Sequence, residues 1–322
     1  MMLDARSFRD QGLPELLAPP GPREFQDYLE ATFDSSRTML GQVQLTELMD
    51  DLLFAEGEGI TWKFVLVPEP IQNLGPILAS DRFEGYAYER NAILSFIEEN
   101  EIRNVVFIAA DVHGTIVNNL TYQRRSGGPQ IETAMFEVTT GSVAYAAPFG
   151  PTTIAYSPPL LRDLFARLDT AGQNSLILVT SNTLLSLYGY PQIGLQQSSI
   201  NAQLLYGSYL AVHTYGWTEF EIDAESQCLT VTTYGIDWYD EEELFDDPDE
   251  VLGREPKVVS RFRVEPRPVV NSPAGANIDA ERANCNVPGN TCGAVGGMGL
   301  SALGLVLLGL FYAPYVRAHL SP

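Results

Sequence analysis

The stretch that decides the fold is Asn104–Thr115, which reads NVVFIAADVHGT. Its continuous apolar run, Val105–Ala110, is typical of a short strand that is buried on both faces. The run ends in Asp111, Val112 and His113, and the whole chain has only 3 histidines. In an extended chain, residues i and i+2 point to the same side. We therefore expect Asp111 and His113 to project together from the end of the strand.

The segments before this stretch predict a βαβ unit. Thr61–Pro70 combines β-branched and aromatic residues with prolines, which predicts a strand that stops at Pro68. Tyr88–Ile102 has one apolar face at helical spacing, formed by Ile93, Leu94, Phe96 and Ile97. Strand, helix and strand in this order indicate a parallel or mixed sheet covered by helices. The carboxyl edge of such a sheet is where open α/β folds usually bind ligands.

Further elements are predicted downstream. Ser157–Asp169 predicts a helix, because Ser157 stands near its N-cap and two prolines occupy its first turn. The short polar segment Ala224–Gln227 indicates a hairpin between the last two predicted strands. The four strands predicted after the first βαβ unit are Glu132–Thr140, Asn174–Asn182, Tyr209–Asp223 and Cys228–Asp237.

The composition is that of a folded, strongly acidic protein. Hydrophobic residues make up 45% of the chain, and 41 acidic residues against 19 basic ones give a net charge of −22. Such a surface repels phosphate backbones, so nucleic-acid binding through a basic patch is not expected. A phosphorylated substrate can bind only where metal ions or a local group of cations reverse this field.

Asp111 and His113 form the candidate metal site. A carboxylate and an imidazole make a mixed oxygen and nitrogen donor pair, which suits Zn, Mn, Fe or a mixed dinuclear centre. Gly114 follows directly and lets the backbone approach a bound group. The alternative is an Asp–His hydrogen bond with no metal. His213 is interpreted as a sheet residue rather than as a replacement ligand.

Five segments resemble, in the same order, the PhoD-like alkaline phosphatases, a branch of the metallophosphoesterases. The resemblance extends over roughly Leu3–Asp237, and the linked spacing of the segments makes it specific. Ala110 stands where the family usually has glycine, and Phe83 where tryptophan is common. The segments are LDARSFRD (Leu3–Asp10), RTMLGQVQLTELMDDLL (Arg37–Leu53), TWKFVLVPEPIQN (Thr61–Asn73), DRFEGYAYERNAILSFIEENEIRNVVFIAADVHGT (Asp81–Thr115) and FEVTTGSVAYAAPFG (Phe136–Gly150).

The resemblance implies a four-layer α/β/β/α sandwich with mixed sheets, incomplete in this chain, and a metal centre at the strand ends. It implies hydrolysis of phosphate esters by metal-activated water that attacks phosphorus, with Ca, Fe, Mn or Zn as the metal. Asp111 and His113 match the last metal-ligand motif of the family. Asp4 and Arg6 either lie near the site or form an internal ion pair.

The earlier ligand motifs of the family are not found. They precede the LDxRxxR segment in the family, and neither Gly-Asp-x-x-Asp nor Gly-Asn-His occurs in this sequence. We therefore weigh three hypotheses. The sequence belongs to a longer exported phosphatase, or it is a catalytically inactive, membrane-anchored binding or structural domain, or it does not fold alone because its sheet has an open apolar edge.

The domain organisation follows from a change in composition near residue 265. Residues 1–264 form the phosphatase portion, and 265–292 is a linker rich in Pro, Gly and Asn. Residues 293–316 carry no charge and exceed the roughly 20 residues that cross a bilayer, which predicts a transmembrane or sorting helix rather than a buried soluble one. Arg317 and His319 just beyond it place the folded domain outside the cytoplasm. The first residues do not read as a signal peptide.

Two smaller features leave alternatives open. Cys285 and Cys292 either pair in the predicted extracytoplasmic linker or stay free or serve a sorting signal, whereas Cys228 is interpreted as an ordinary strand residue. The acidic segment Asp237–Glu250 is either a calcium site or a solvated loop. It lacks EF-hand spacing, which favours the loop.

Overall fold

The computed structural model describes residues 1–16, 20–77, 79–143, 147–155, 157, 159–269 and 285. A short 3-10 helix spans Phe83–Tyr86. The α-helices are α1 (Pro22–Thr32), α2 (Gln42–Gly57), α3 (Ala87–Glu99), α4 (Phe149–Ala155), α5 (Pro159–Phe165), α6 (Thr170–Leu187), α7 (Glu241–Asp246) and α8 (Pro248–Leu252). The strands are β1 (Lys63–Val67), β2 (Val105–Ala109), β3 (Thr115–Tyr122), β4 (Ile131–Thr139), β5 (Ala202–Gly207), β6 (Leu210–Ala211), β7 (Thr214–Ile222), β8 (Leu229–Asp237) and β9 (Lys257–Val264).

The first sheet is mixed and has the strand order β1-β2-β4-β3-β6. Strands β1, β2 and β4 are parallel, whereas β3 is antiparallel to both of its neighbours. Helix α3 connects β1 to β2, which confirms the predicted βαβ unit. Strand β2 is buried on both faces, as its continuous apolar run predicts.

The second sheet is antiparallel and has the strand order β5-β9-β8-β7. Strands β7 and β8 pair without a register shift from Thr214 opposite Asp237 to Ile222 opposite Leu229, which confirms the predicted hairpin.

The layers follow from which side chains meet. Phe136 of the first sheet and Phe262 of the second lie in one apolar core, with their ring centroids 6.1 Å apart. The other face of the first sheet packs against α2 and α3, whose apolar side chains share a second core with the strands. Trp217 and Tyr206 of the second sheet are 48% and 58% exposed, so no helix of the described residues covers that outer face at these positions.

One predicted strand was wrong, and another joined two separate strands. Asn174–Asn182 lies inside α6, because a short apolar run does not distinguish a strand from a packed helix. The Asp169 carboxylate caps this helix by accepting a hydrogen bond from the Gly172 N–H. Tyr209–Asp223 is divided between β6 and β7, which belong to different sheets, so the chain crosses from one sheet to the other at this point.

A disulfide joins Cys228 and Cys285. The interpretation of Cys228 as an ordinary strand residue was therefore wrong, and so was the pairing of Cys285 with Cys292, which lies outside the described residues. Arg263 of β9 and Glu265, which follows β9, fix the position of Cys285 through hydrogen bonds to its backbone. Its N–H donates to Glu265, and its carbonyl accepts from Arg263. Proximity along the chain suggests a pair of Cys285 and Cys292, but the fold brings Cys285 next to Cys228, which is 57 positions away.

The predicted transmembrane or sorting helix at 293–316 lies outside the described residues, as does most of the linker at 265–292. Among the helices that the structure does describe, none combines the length and the apolar character needed to span a bilayer.

Candidate functional site

Three segments that run in the same direction end at one edge of the first sheet. Met2 forms a parallel bridge with Leu66 of β1, and Val67 at the end of β1 pairs with Ala109 at the end of β2. Parallel neighbours bring their carboxyl ends to the same edge. The residues just beyond these segments, from Asp4, Pro68 and Ala110 onward, therefore share this edge.

The turn from Asp111 to His113 is not extended. Asp111 and His113 have φ values of 68° and 56°, and the Val112 N–H donates to the Ala110 carbonyl at 2.8 Å. Asp111 is thus the central residue of a γ-turn with positive φ, a strained and uncommon conformation. The alternation of an extended strand therefore does not describe how these two side chains are placed.

Both side chains are available to a ligand. Asp111 is exposed and His113 is half-buried. Neither side chain forms a hydrogen bond or an ion pair within the described part of the chain, so the alternative of an Asp–His hydrogen bond is not found. Positive φ in two nearby non-glycine residues costs free energy, and such strain is concentrated at functional sites.

Glu69 is a buried carboxylate at the same edge. It lies two residues beyond Val67, as Asp111 lies two residues beyond the paired Ala109. Its side chain is only 1% exposed, one oxygen forms an ion pair with Arg6, and Oε2 has no hydrogen-bond partner among the residues that the structure describes. Burial, and then the negative charge of Asp111, raise the pKa of Glu69 to about 7.

Arg6 is bound at this edge by carboxylates other than Asp4. Its guanidinium contacts Glu69 and lies 3.8 Å from Asp81. The Asp4 carboxylate instead accepts hydrogen bonds from the backbone N–H groups of Arg6 and Ser7. The side chain of Ser7, and then these two backbone groups, lower the pKa of Asp4. The expected internal ion pair between Asp4 and Arg6 was therefore wrong.

Gly114 is needed for packing. A Cβ at this position would lie 2.7 Å from Cγ1 of Val212, so only glycine lets the turn approach the end of β6. The expectation that Gly114 also lets the backbone approach a bound group stays a prediction.

His213 is not accessible as a ligand. It is fully buried, its Nδ1 lies 2.7 Å from Oδ1 of Asn174, and burial lowers its pKa to about 4.

The loop after Glu69 is held by a buried polar network. The Glu137 carboxylate of β4 accepts hydrogen bonds from the N–H groups of Ile71 and Gln72, and Nε of Arg90 donates to the Ile71 carbonyl. Burial raises the pKa of Glu137 to about 7. These contacts fix the backbone that presents Glu69 to the edge of the sheet.

The donors at this edge suit a metal only in part. An exposed carboxylate, a half-buried imidazole and an unpartnered carboxylate oxygen are appropriate ligand types for Zn, Mn or Fe. Nevertheless, no three His, Cys, Asp or Glu side chains converge to hold a metal anywhere in the described ranges. Asp111 and His113 therefore fit as two ligands of an incomplete set.

The same finding bears on the acidic segment Asp237–Glu250. It forms α7 and α8 with mostly exposed carboxylates, and Arg254 forms ion pairs with Glu243 and Glu250. No calcium site is found among its described side chains. The segment is largely solvated, as expected, but from Glu241 onward it forms two short helices rather than a loop.

Glu69 and Asp81 were not identified from the sequence. For Glu69 a signal was present, because it follows a predicted parallel strand by the same interval as Asp111. Asp81 has no such signal, since it belongs to the irregular segment before the 3-10 helix and reaches the edge only through the tertiary fold.

Comparisons with known proteins show the family of the chain. A family model described as PhoD-like phosphatase matches residues 1–187, which include every residue assigned to the edge. A solved structure titled "Structure of PhoD" is 15% identical, with a TM-score of 0.48, and the match covers 86% of this chain. The chain spans 42% of that protein. No curated protein matches the chain.

Proposed function

Because the chain belongs to the PhoD-like phosphatase family, we propose that it is a metal-dependent phosphoester hydrolase with Asp111 and His113 as metal ligands. The observation that carries this proposal is the strained turn at the carboxyl edge of three parallel strands, where both side chains are unpaired within the described part of the chain. This turn lies within the matched residues.

The roles of the residues follow from their chemistry. The Asp111 carboxylate and the His113 imidazole would hold a divalent or trivalent ion (Ca, Fe, Mn or Zn), and the remaining ligands would come from outside the described residues. When bound, the metal supplies Lewis acidity toward the phosphoryl group and lowers the pKa of water. Glu69 and Arg6 give the edge one buried anion and one half-exposed cation.

Hydrolysis assays test the proposal. The full chain is loaded with Mn²⁺, Zn²⁺, Ca²⁺ or Fe³⁺ and assayed with p-nitrophenyl phosphate and bis(p-nitrophenyl) phosphate. We expect turnover that is lost in His113→Ala and kept in Glu99→Gln, a substitution of an exposed residue at the end of α3. Turnover that survives His113→Ala would refute the assignment of the site.

A second candidate is a catalytically inactive binding or structural domain of the same family. It is favoured by the absence of three converging donors in the described ranges. This candidate predicts a folded chain that neither hydrolyses the two substrates nor retains a stoichiometric metal after dialysis. Metal-dependent turnover that disappears in His113→Ala would exclude it.

We further propose that the chain is attached to a membrane, with its folded part outside the cytoplasm. The uncharged segment at 293–316 supports the attachment, and the disulfide between Cys228 and Cys285 suits an oxidising compartment. Carbonate extraction of cell fractions tests the first point, since release of the full chain into the supernatant would contradict it. Protease digestion of intact cells or spheroplasts tests the second.

A further inference from the structure

Arg6 is a half-exposed cation at the same edge as the proposed metal ligands. Its side chain is 52% exposed, although its guanidinium contacts the buried Glu69 and lies 3.8 Å from Asp81. The bridge between Met2 and Leu66 carries the backbone of Arg6 to the edge where β1 ends. The position of Arg6 is thus set by the sheet and by two carboxylates.

The guanidinium is held on one side and open on the other. Nη2 contacts Glu69, whereas Nε and Nη1 have no acceptor within hydrogen-bond distance in the described part of the chain. An arginine presents its N–H donors in a planar fork that matches two oxygens of a phosphate. The unused donors are therefore suited to a phosphoryl group at the edge.

The acidic charge of the chain favours a side-chain cation where a phosphate ester is to bind. A net charge of −22 repels a phosphate ester from most of the surface. Arg9 lies beside Arg6, with its Nη1 bonded to the Asp81 carbonyl at 3.1 Å. Arg6 and Arg9 together place two cations among the carboxylates of Glu69, Asp81 and Asp111, at the edge where the proposed metal ligands lie.

Glu69 fixes the orientation of Arg6. The carboxylate is buried, and its backbone leads into the loop that Glu137 and Arg90 hold. An ion pair between two exposed side chains contributes little orientation, because both chains are free to move. A partner that is only 1% exposed instead limits the guanidinium to a narrow range of positions.

We propose that Arg6 binds the phosphoryl oxygens of the substrate and that Glu69 is the residue that positions Arg6. This proposal rests on the proposed function, because it concerns the same site. It differs from a purely structural ion pair, in which Arg6 would stabilise the fold without meeting a ligand.

Binding of inorganic phosphate to the full chain, measured by calorimetry with and without Mn²⁺, tests the proposal. We expect Arg6→Gln to weaken phosphate binding about 10-fold or more, since it removes charge-assisted hydrogen bonds to the anion. Glu69→Gln should weaken phosphate binding similarly. The double variant should bind phosphate no more weakly than Arg6→Gln, because both substitutions disable the same Arg6–Glu69 pair. Arg6→Lys keeps the charge but loses the fork, and should fold and bind with intermediate affinity.

Two control variants separate this effect from general loss of charge. Glu56→Gln removes a carboxylate that pairs with the buried Lys63 at the opposite end of β1. Arg124→Gln removes an exposed arginine that pairs with Glu99. Both should leave the phosphate affinity unchanged.

Three results would overturn the proposal. They are wild-type affinity in Arg6→Gln, no phosphate binding by the wild type with or without Mn²⁺, and additive losses in the double variant. Hydrolysis with unchanged phosphate affinity in Arg6→Gln would refute this inference and leave the proposed function intact. Phosphate binding that depends on Arg6, without any metal binding or hydrolysis, would refute the proposed function and leave the phosphate-binding role of Arg6 intact.

Discussion

Glu69 and Asp111 occupy equivalent positions on neighbouring parallel strands, each two residues beyond the paired Val67 and Ala109. One carboxylate is buried and the other is exposed. The two carboxylates interact electrostatically: after burial, the negative charge of Asp111 contributes to the raised pKa of Glu69. The edge therefore carries two acids with different properties, and Arg6 is bound to the buried one.

The backbone and the carboxylate of Asp111 can be tested separately. Asparagine tolerates positive φ nearly as well as aspartate, whereas alanine does not. We predict that Asp111→Asn weakens metal binding strongly while changing the free energy of unfolding by less than about 0.5 kcal/mol. Asp111→Ala should cost roughly 1 kcal/mol more than Asp111→Asn because of its φ. Urea denaturation and metal titration of both variants check this, and equal stabilities would contradict the role of the backbone.

Replacing Gly114 should disturb the turn through Val212. We predict that Gly114→Ala destabilises the chain by about 1–3 kcal/mol, as for other overpacked sites. Val212→Ala removes the nearest methyl group, so the double variant should be less destabilised than the sum of the two single changes. Unfolding free energies of the four proteins measure this coupling. Strict additivity would show that the two residues do not compete for space.

The disulfide should stabilise the fold considerably. Its cysteines are separated by 57 positions, and a loop of this length corresponds to about 4 kcal/mol in the chain-entropy description. We predict that the double substitution Cys228→Ala and Cys285→Ala lowers the free energy of unfolding by a comparable amount, whereas Cys292→Ala does not. Denaturation of the oxidised proteins tests this. Peptide mapping without reduction that found Cys285 linked to Cys292 would contradict the pairing.

Glu137 should make stability depend on pH. Its pKa is raised from 4.5 to about 7 in the folded chain, so the folded state holds this proton more tightly than the unfolded state. The stabilisation that comes from this tighter proton binding is therefore complete below about pH 4.5. It is lost as the pH rises toward about 7, by up to about 1.4 kcal/mol per pH unit. We predict that Glu137→Gln is less destabilising at about pH 7.5 than at about pH 4.5, because glutamine does not ionise.

The comparison of the wild type with Glu137→Gln cancels the contribution of His213, whose effect on stability changes with pH in the opposite direction. The pKa of His213 is lowered to about 4, so its contribution to stability is lost as the pH falls from 6.5. Because both proteins contain His213, the difference between their unfolding free energies isolates Glu137. A difference that does not change with pH would contradict the raised pKa.

Local patterns were sufficient for three parts of the fold, including the strand that carries Asp111 and His113. The apolar run of β2, the helical face of α3 and the β7–β8 hairpin each produce a periodic signal within a few residues. Strand β3 gives no such signal, because Asn118 and Asn119 are polar and yet buried. Strand β5 lies at a sheet edge with most of its side chains partly exposed, so it lacks the alternation of a half-buried strand.

The metal-ligand pair was predictable because its two residues are adjacent in the sequence, whereas Arg6 was given a place near the site only as one of two alternatives. Asp111 and His113 were identified because they follow one strand directly. Arg6 reaches them through the bridge between Met2 and Leu66, and Asp81 through its proximity to Arg6. The positive φ of Asp111 is a property of the folded turn that no local pattern indicates.

Anomalous diffraction from crystals of the full chain soaked in Zn²⁺ tests the central claim most directly. We predict a peak at the edge of the five-stranded sheet, about 2.0–2.2 Å from an oxygen of Asp111 and a nitrogen of His113. A Zn²⁺ peak bound elsewhere, with these two side chains free of metal, would contradict the assignment of the site.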